Sequence, residues 1–548
     1  SGGKSKKQDQ DSSTPEVEES RVAGAGIDAD ARPPDTEPEP EPEPWTPERV
    51  LSWNSYYDIY VVGGILLLIF FASANKIANS SIWTMLQTGK MIVTNAAPVL
   101  TDPYSSTMGG KPWVNVSWVF QAAMSQLYEW ARGMAPANPD RVAQAARAEQ
   151  YAAGALVLAT ALIRVLTALV LLRIRHLGPG LWWTALCVML ALGVSLSPLG
   201  VSLGGIAGQS QVGPDAWGLL FLAVELWLLH KALNLGQTGG LYGLVPLFLI
   251  WANSDESFAF GLVLLAAALL PSSRLILNPE EERLADEPSP PGFLKRGLIL
   301  VACIAVCLVN PSMHNLFLVG FEPFWAWVNP VAKQLVYSEI SLLNQASFDL
   351  LKQEYFALLA FYLVVVGLGV ASFALNRARF SASRFSVFLV ASLVWALAVY
   401  RYMGEYSLVW ASILVLNGQE WYQSRFGLEG RLGWKWTLWS TGGRAITIVL
   451  VFAALIIKGL IGWGRLPGES TLGFGVSSER FSFDAAEFLR SAPIKGQVLN
   501  STAAQGDAII WKAHPLRKTF VDGRTQLFSR ELRGEWQAMR EAIRDDKP

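Results

Sequence analysis

Residues 151–172 read YAAGALVLATALIRVLTALVLL, an apolar run with a single charged residue, Arg164. These 22 residues would form a helix of about 33 Å, enough to cross the roughly 30 Å hydrocarbon core of a bilayer. The chain of 548 residues is 51% hydrophobic and 16% charged, whereas soluble domains carry about 25% charged residues. The sequence therefore predicts an all-α polytopic membrane protein.

Further apolar runs along the chain predict about eleven transmembrane helices. They lie at residues 58–74, 151–172, 180–199, 216–233, 240–252, 257–271, 297–310, 355–376, 386–400, 403–417 and 445–463. Lys and Arg are concentrated in alternate loops, such as 173–180 and 377–386. The positive-inside rule places these loops and the N-terminus in the cytoplasm. An odd number of crossings then puts the C-terminal segment on the extracytoplasmic side.

Two segments flank the membrane region. Residues 1–45 are polar and end in a Glu-Pro repeat, so they predict a disordered cytoplasmic tail. Residues 46–466 form the predicted transmembrane module, which includes a large extracytoplasmic loop over 75–150. Residues 467–548 have a soluble composition and predict a small extracytoplasmic α/β domain. Its predicted helices are 483–491 and 531–544, and its predicted strands are 497–499, 509–511 and 518–521.

The loop over 75–150 carries the first candidate for chemistry. It reads IWTMLQTGK over 82–90, TDPYS over 101–105 and KPWVNVSW over 111–118. Asp102 precedes a proline that fixes a turn, so the carboxylate either shapes that turn or acts as a catalytic base. Trp113 and Trp118 either line a groove for a sugar or prenyl chain, or lie flat on the membrane interface.

A second polar group lies between closely spaced apolar runs on the same predicted face. Asn253, Asp255 and Glu256 occupy a short turn after residue 251. The two acids could bind a divalent cation such as Mg or Mn, face an acceptor substrate, or simply be solvated. His314 follows a helix-breaking proline and is either a substrate contact or a plain surface histidine.

Charged residues at or within the predicted spans complete the set of candidates. Arg401 and Glu405 lie at the outer mouth of two spans, where a guanidinium suits either bidentate phosphate binding or an interfacial anchor. Arg164 and Glu225 lie near mid-span, where charges are costly and are usually paired. We expect these two to form a salt bridge with each other.

Several of these blocks resemble bacterial GT-C-like membrane glycosyltransferases. The first loop is similar to that group's pattern D-x-W-W-H-L-x-T-G-x-x-I, then D-P-F/Y-S, then P-W-x-x-x-S-W. Further blocks follow in the expected order, namely Trp251-Ala252-Asn253, Asn310-Pro311, Arg401, Ala485-Ala486-Glu487-Phe488-Leu489, Gly496-Gln497-Val498-Leu499-Asn500 and Val521-Asp522-Gly523-Arg524. The resemblance covers residues 80–530. It departs at Ser81, where the pattern has Asp, and at Met85, where it has His. A third departure replaces the usual His-Gly after residue 253 with Ser-Asp-Glu-Ser.

The resemblance implies transfer of a sugar from a polyprenyl-phosphate carrier to an extracytoplasmic acceptor, in the bacterial inner membrane. The expected partners are the polyprenyl-phosphate-linked sugar, membrane lipids and other membrane proteins, with no nucleic acid. The candidate catalytic residues are Asp102, Asp255 and Glu256. The candidate substrate contacts are Arg401, Glu405, Asn253, Trp113, Trp118 and His314.

Two alternative functions remain at this point. The residues Ser81 and Met85 favour a catalytically degenerate relative that serves as a scaffold subunit of a membrane assembly. A transporter of lipid-linked substrates ranks third, because such proteins show corresponding broken spans in two halves and this sequence shows no internal repeat.

Overall fold

The computed structural model describes residues 56–176, 181–195, 212–269, 292–328, 356–398, 401–426, 442–461, 472–493, 496–524 and 527–545. The predicted tail over 1–45 lies outside this range, as do parts of the predicted loops. The helices are α1 Tyr56–Ser73, α2 Ser81–Asn95, α3 Trp118–Gly133, α4 Arg141–Leu171, α5 Leu181–Ser195, α6 Asp215–Leu233, α7 Leu244–Trp251, α8 Phe258–Leu269, α9 Phe293–Cys307, α10 Asn315–Gly320, α11 Glu322–Val328, α12 Phe356–Leu375, α13 Ala382–Leu397, α14 Met403–Phe426, α15 Gly443–Ile461, α16 Phe483–Ser491, α17 Ala503–Ala513 and α18 Arg530–Arg544. Short 3-10 turns cover Thr238–Gly243, Arg377–Arg379 and Ser478–Arg480.

All eleven predicted spans overlap with helices, so the helical character of these runs is confirmed. By length and composition, two of the described helices are sufficient to cross a bilayer, α4 and α6. The number of crossings and the topology therefore stay predictions.

The predicted loop over 75–150 contains α2, α3 and the first ten residues of α4, and α2 and α3 pack closely together. A Cβ atom on Gly89 of α2 would lie 2.0 Å from the backbone oxygen of Gln121 on α3, far inside van der Waals contact. Glycine at this position therefore lets the two backbones touch. The helix pair forms a rigid support for the irregular stretch between them, which carries Asp102 and Trp113.

The C-terminal segment is helical where the sequence predicted a strand. Residues 509–511 lie within α17, so that prediction was wrong. Thr502 and Gln505 form a reciprocal capping box at the start of this helix, and its alanines favour helix over strand. The other two predicted strands contribute one isolated bridge, between Ser105 and Thr519, and the described part of the segment contains no sheet. The helices predicted at 483–491 and 531–544 are confirmed.

An aromatic cluster joins the C-terminal segment to the first loop. Trp83 of α2 is fully buried, with ring centroids 5.7 Å from Phe481, 5.2 Å from Phe483 and 5.5 Å from Trp511. Such ring pairs combine large apolar burial with edge-to-face attraction. The two ends of the described chain thus share one core, although they are about 400 residues apart in sequence.

Candidate functional site

Arg524 joins the first loop to the C-terminal segment through a group that we name the loop clamp, made of Asp102, Asp522 and Arg524. Its Nη2 lies 2.6 Å from Asp102 Oδ1 and 2.6 Å from Asp522 Oδ2, and its Nε donates to Asp522 Oδ1 at 2.9 Å. Both carboxylates have no exposed side-chain area. The guanidinium also lies over the rings of Tyr104, at 4.9 Å, and Trp113, at 4.6 Å. One guanidinium therefore pairs with both buried carboxylates.

The carboxylate of Asp102 is saturated with hydrogen bonds. Oδ1 accepts from the backbone N–H of Tyr104 at 3.0 Å, and Oδ2 accepts from the backbone N–H of Ser105 at 3.2 Å and from its hydroxyl. Burial alone would raise the pKa of Asp102, but Arg524 and these hydrogen bonds outweigh it and hold the pKa below its usual value. A buried carboxylate with a lowered pKa is a weak base, so this geometry favours the turn-forming role over the catalytic one.

Asp507, which was not among the sequence candidates, makes a second tie between the same two segments. It accepts hydrogen bonds from the hydroxyls of Ser80 and Thr84, both at 2.7 Å, and from the backbone N–H of Gly523 at 3.0 Å. Burial and the neighbouring Asp522 raise the pKa of Asp507 to about 6. The nearest motif in the sequence was the Asp-Gly-Arg block at 522–524, and it gave no reason to select Asp507.

The Asp507→Asn variant should show a flatter dependence of stability on pH than the wild type. The folded pKa of about 6 lies above the ordinary value of 3.8, so the folded state binds more protons between these values and stability falls as pH rises through this window. Two pKa units correspond to about 3 kcal/mol at most. Thermal unfolding from pH 4.5 to 7.5 measures the slope. The exposed Asp484→Asn is the matched control, and a slope identical in all three proteins would contradict the assignment.

A second group, which we name the turn cluster, gathers Asp255, Glu256, Glu322 and Arg401. Arg401 Nη2 lies 2.8 Å from Glu256 Oε2, and Nη1 lies 3.1 Å from Glu322 Oε2. The side chain of Glu256 is 35% exposed, whereas those of Arg401 and Glu322 are 15% and 16% exposed. Glu256 is therefore the member of the cluster that a dissolved or membrane-bound substrate reaches most easily. Glu322, at the start of α11, was missed because no sequence pattern set it apart.

Asp255 lies buried behind Glu256 and points toward helix α6. It accepts hydrogen bonds from the backbone N–H of Ser257, at 3.0 Å, and from the Ser257 hydroxyl. A Cβ atom on Gly218 would lie 2.3 Å from Asp255 Oδ2, so glycine is needed for α6 to pack against this carboxylate. Burial raises the pKa of Asp255 to about 6, against the opposing effect of Ser257.

The segment 113–118 runs from the loop clamp to Asn253, two residues before Asp255 of the turn cluster. At one end Trp113 stacks on Arg524 of the loop clamp. At the other end Trp118 Nε1 donates to Asn253 Oδ1 at 2.8 Å, and Asn310 Nδ2 donates to the same oxygen at 3.2 Å. Trp113, Trp118 and Asn253 are thus engaged in contacts within the protein. Five residues of extended chain span at most about 18 Å, which limits the distance between the two tryptophan backbones.

The remaining two candidates are His314 and Glu405. His314 is exposed immediately before α10, and Glu405 is buried in the first turn of α14.

The predicted salt bridge between Arg164 and Glu225 was wrong. Arg164 Nη2 instead lies 3.4 Å from Asp215 Oδ2, at the start of α6. Glu225 follows ten residues later on the same helix, about 15 Å along its axis, out of reach of the same guanidinium. Both carboxyl oxygens of Glu225 are buried, with no hydrogen-bond partner among the described residues.

The donor set does not fit the divalent cation that the sequence suggested. Within the described ranges, no group of three or more His, Cys, Asp or Glu side chains is arranged to hold a metal ion. Arg401 already occupies the cationic position between Glu256 and Glu322. Asp255 is engaged by Ser257.

No protein-family model matches the sequence, and no curated protein matches it. Solved structures of archaeal oligosaccharyltransferases match in fold. The Archaeoglobus fulgidus oligosaccharyltransferase tethered with an acceptor peptide aligns with a TM-score of 0.51 at 13% identity. Its apo form aligns with a TM-score of 0.52 at 11% identity. Archaeal oligosaccharyltransferase AglB from the same organism, in complex with an inhibitory peptide and a dolichol-phosphate, aligns with a TM-score of 0.50 at 11% identity.

This chain has a GT-C-like fold. Each alignment covers 86% of the chain and 65% of the neighbour, so the chain spans less than two thirds of the length of these proteins. The GT-C-like architecture expected from the sequence is confirmed. At sequence identities of 11–13%, the structural similarity shows the fold and not the activity.

Proposed function

We propose that the chain is an integral membrane glycosyltransferase that transfers a sugar from a polyprenyl-phosphate carrier to an extracytoplasmic acceptor. The observation that carries the proposal is Glu256, a partly exposed carboxylate held by Arg401 in a GT-C-like fold. One structural neighbour was solved with a dolichol-phosphate, which is also an isoprenoid phosphate.

The turn cluster offers the groups that this reaction needs. Glu256 takes the proton of the acceptor hydroxyl as the new glycosidic bond forms, and the bond between sugar and phosphate oxygen breaks with its electron pair on the phosphate. Arg401 orients Glu256 and supplies positive charge beside the leaving phosphate. Asp255 supports the turn from behind. Asp102 has a structural role in the loop clamp.

Contacts at the outer face support the proposed topology. Asp102 and Arg524 can pair only if the first loop and the C-terminal segment emerge on the same side. The hydrogen bond from Trp118 to Asn253 supports the same side for the turn between α7 and α8. The ion pair between Arg401 and Glu256, which lies in that turn, supports the same side for Arg401.

Contacts between the predicted cytoplasmic loops support the same topology. Asp58, at the start of α1, pairs with Arg444, at the start of α15, at 2.5 Å. Glu420 pairs with Arg384 at 2.7 Å and with His176 at 3.0 Å. The two sets of contacts lie on opposite sides of the membrane, with the start of α1 in one set and the C-terminal segment in the other. An odd number of crossings between them is consistent with both sets. We propose the bacterial inner membrane as the location, with the N-terminus in the cytoplasm.

The Arg401→Gln variant should lower kcat/KM for the lipid-linked donor by about 10- to 100-fold. The change removes charge-assisted hydrogen bonds beside the phosphate and leaves Glu256 unoriented. Transfer of a radiolabelled sugar from a polyprenyl-phosphate donor, measured with purified full-length protein, tests the effect. Arg490→Gln is the matched control, because Arg490 forms an exposed ion pair with Glu487. Equal activity in both variants would contradict the role of Arg401.

A scaffold function is the second candidate. The observation in its favour is that Asp102, the acidic residue of the first-loop block, is fully engaged by Arg524 and the backbone. Ser81 and Met85 stand where the related pattern has ionisable residues. Absence of transfer by the wild type with every polyprenyl-phosphate donor tested would favour the scaffold.

A further inference from the structure

An open cleft lies where α3 ends and α4 begins, on the first loop. Its volume is about 500 Å³, within the usual range for small-molecule sites. The lining side chains that matter here are Glu129, Arg132, Asn138, Arg141 and Gln144. None of them belongs to the loop clamp or the turn cluster.

The charges of this cleft sum to a positive site. Glu129 lies 3.6 Å from Arg132 and 3.7 Å from Lys90, so its single negative charge is paired with two cations. Arg141 is exposed and forms no ion pair with any described residue. A guanidinium in this state is suited to a carboxylate or phosphate, which it can bind through two parallel hydrogen bonds.

One further feature points to a ligand that also carries hydroxyl groups. The Oε1 atom of Gln144 is buried and has no hydrogen-bond partner among the described residues. A buried acceptor without a donor is costly, and a ligand hydroxyl would satisfy it.

The length of α4 separates this cleft from the membrane. Its 31 residues extend about 46 Å, while the bilayer core is about 30 Å thick. The apolar run begins at Tyr151, so Arg141 lies about 15 Å beyond the start of that run. A dissolved ligand reaches such a position more readily than a lipid headgroup does.

We propose that this cleft binds an acidic saccharide. The carboxylate pairs with Arg141 and Arg132, and a hydroxyl donates to Gln144. The site is independent of the turn cluster, and its occupation does not require that the protein transfer a sugar.

Binding of cellobiouronic acid and of cellobiose to the purified full-length protein tests the proposal, since the two differ in one carboxylate. Saturation-transfer NMR should detect the acid and give at least tenfold weaker binding for the neutral sugar. Arg141→Gln should weaken binding of the acid by about tenfold. Arg147→Gln, an exposed arginine on the same helix outside the cleft lining, is the matched control and should bind like the wild type.

Several results would overturn the site. Equal binding of the acid and the neutral sugar would remove the role of the guanidinium, as would equal weakening by Arg141→Gln and Arg147→Gln. Tight binding of triglutamate would assign the cleft to an acidic peptide. Loss of saccharide binding in nanodiscs of phosphatidylglycerol, but not of phosphatidylcholine, would assign it to a lipid headgroup. Unchanged thermal unfolding of the variants excludes misfolding as the cause.

Discussion

Replacement of Arg524 by methionine should lower the free energy of unfolding by about 3–5 kcal/mol. The variant keeps most of the apolar stem but leaves Asp102 and Asp522, both with no exposed side-chain area, without their shared cation. A buried anion that loses its partner retains its desolvation cost and gains nothing in return. Pulse proteolysis of the purified protein at increasing denaturant measures the loss.

Two further variants separate the charge effect from simple truncation. Arg490→Met removes an arginine from an exposed pair and should change stability by less than about 1 kcal/mol. The triple variant Arg524→Met, Asp102→Asn, Asp522→Asn should recover part of the loss, because no buried charge is then left unpaired. If the single variant is as stable as the wild type, the loop clamp does not hold the two segments together.

The Glu256→Gln variant should lose sugar transfer by about 10²- to 10⁴-fold in kcat, the range expected when a general base is removed. Glutamine keeps the shape of the side chain and can still contact Arg401, but it cannot take a proton. The donor KM should change much less than kcat. Radiolabelled transfer with purified wild type and variant provides both constants.

The matched control for this variant is Glu487→Gln, which neutralises an exposed glutamate of the C-terminal segment. Asp102→Asn offers a second contrast, because it should weaken the fold without lowering kcat of the folded fraction. Turnover preserved in Glu256→Gln would exclude this residue as the base. Turnover abolished by Asp102→Asn in fully folded protein would return the catalytic role to the first loop.

The sequence predicted the helices well because long apolar runs leave few alternatives. The failure at residues 509–511 shows the limit of short runs. An Ile-Ile-Trp stretch fits a strand or a buried helix, and the capping box formed by Thr502 and Gln505 decides between them. The capping residues lie outside the apolar run itself.

The candidate site was predicted less completely, because its contacts join residues that are distant in sequence. Asp102 and Arg524 were each noted in separate blocks, yet they are separated by 422 positions and no local pattern pairs them. Arg401 and Glu256 were expected on one face, and they do form an ion pair. Glu322 and Asp507 carry no local signal, so only the tertiary structure reveals them.

The tie between Asp102 and Arg524 has a consequence for biosynthesis. At a translation rate of about 5–20 residues per second, the ribosome needs about 20–80 s to reach the second residue after the first. During this interval Trp83 and the carboxylate of Asp102 have left the ribosome without their final partners. The early loop should therefore be open to protease attack on nascent chains, and a membrane chaperone that shields it would be expected to release it only once residue 524 has been translocated.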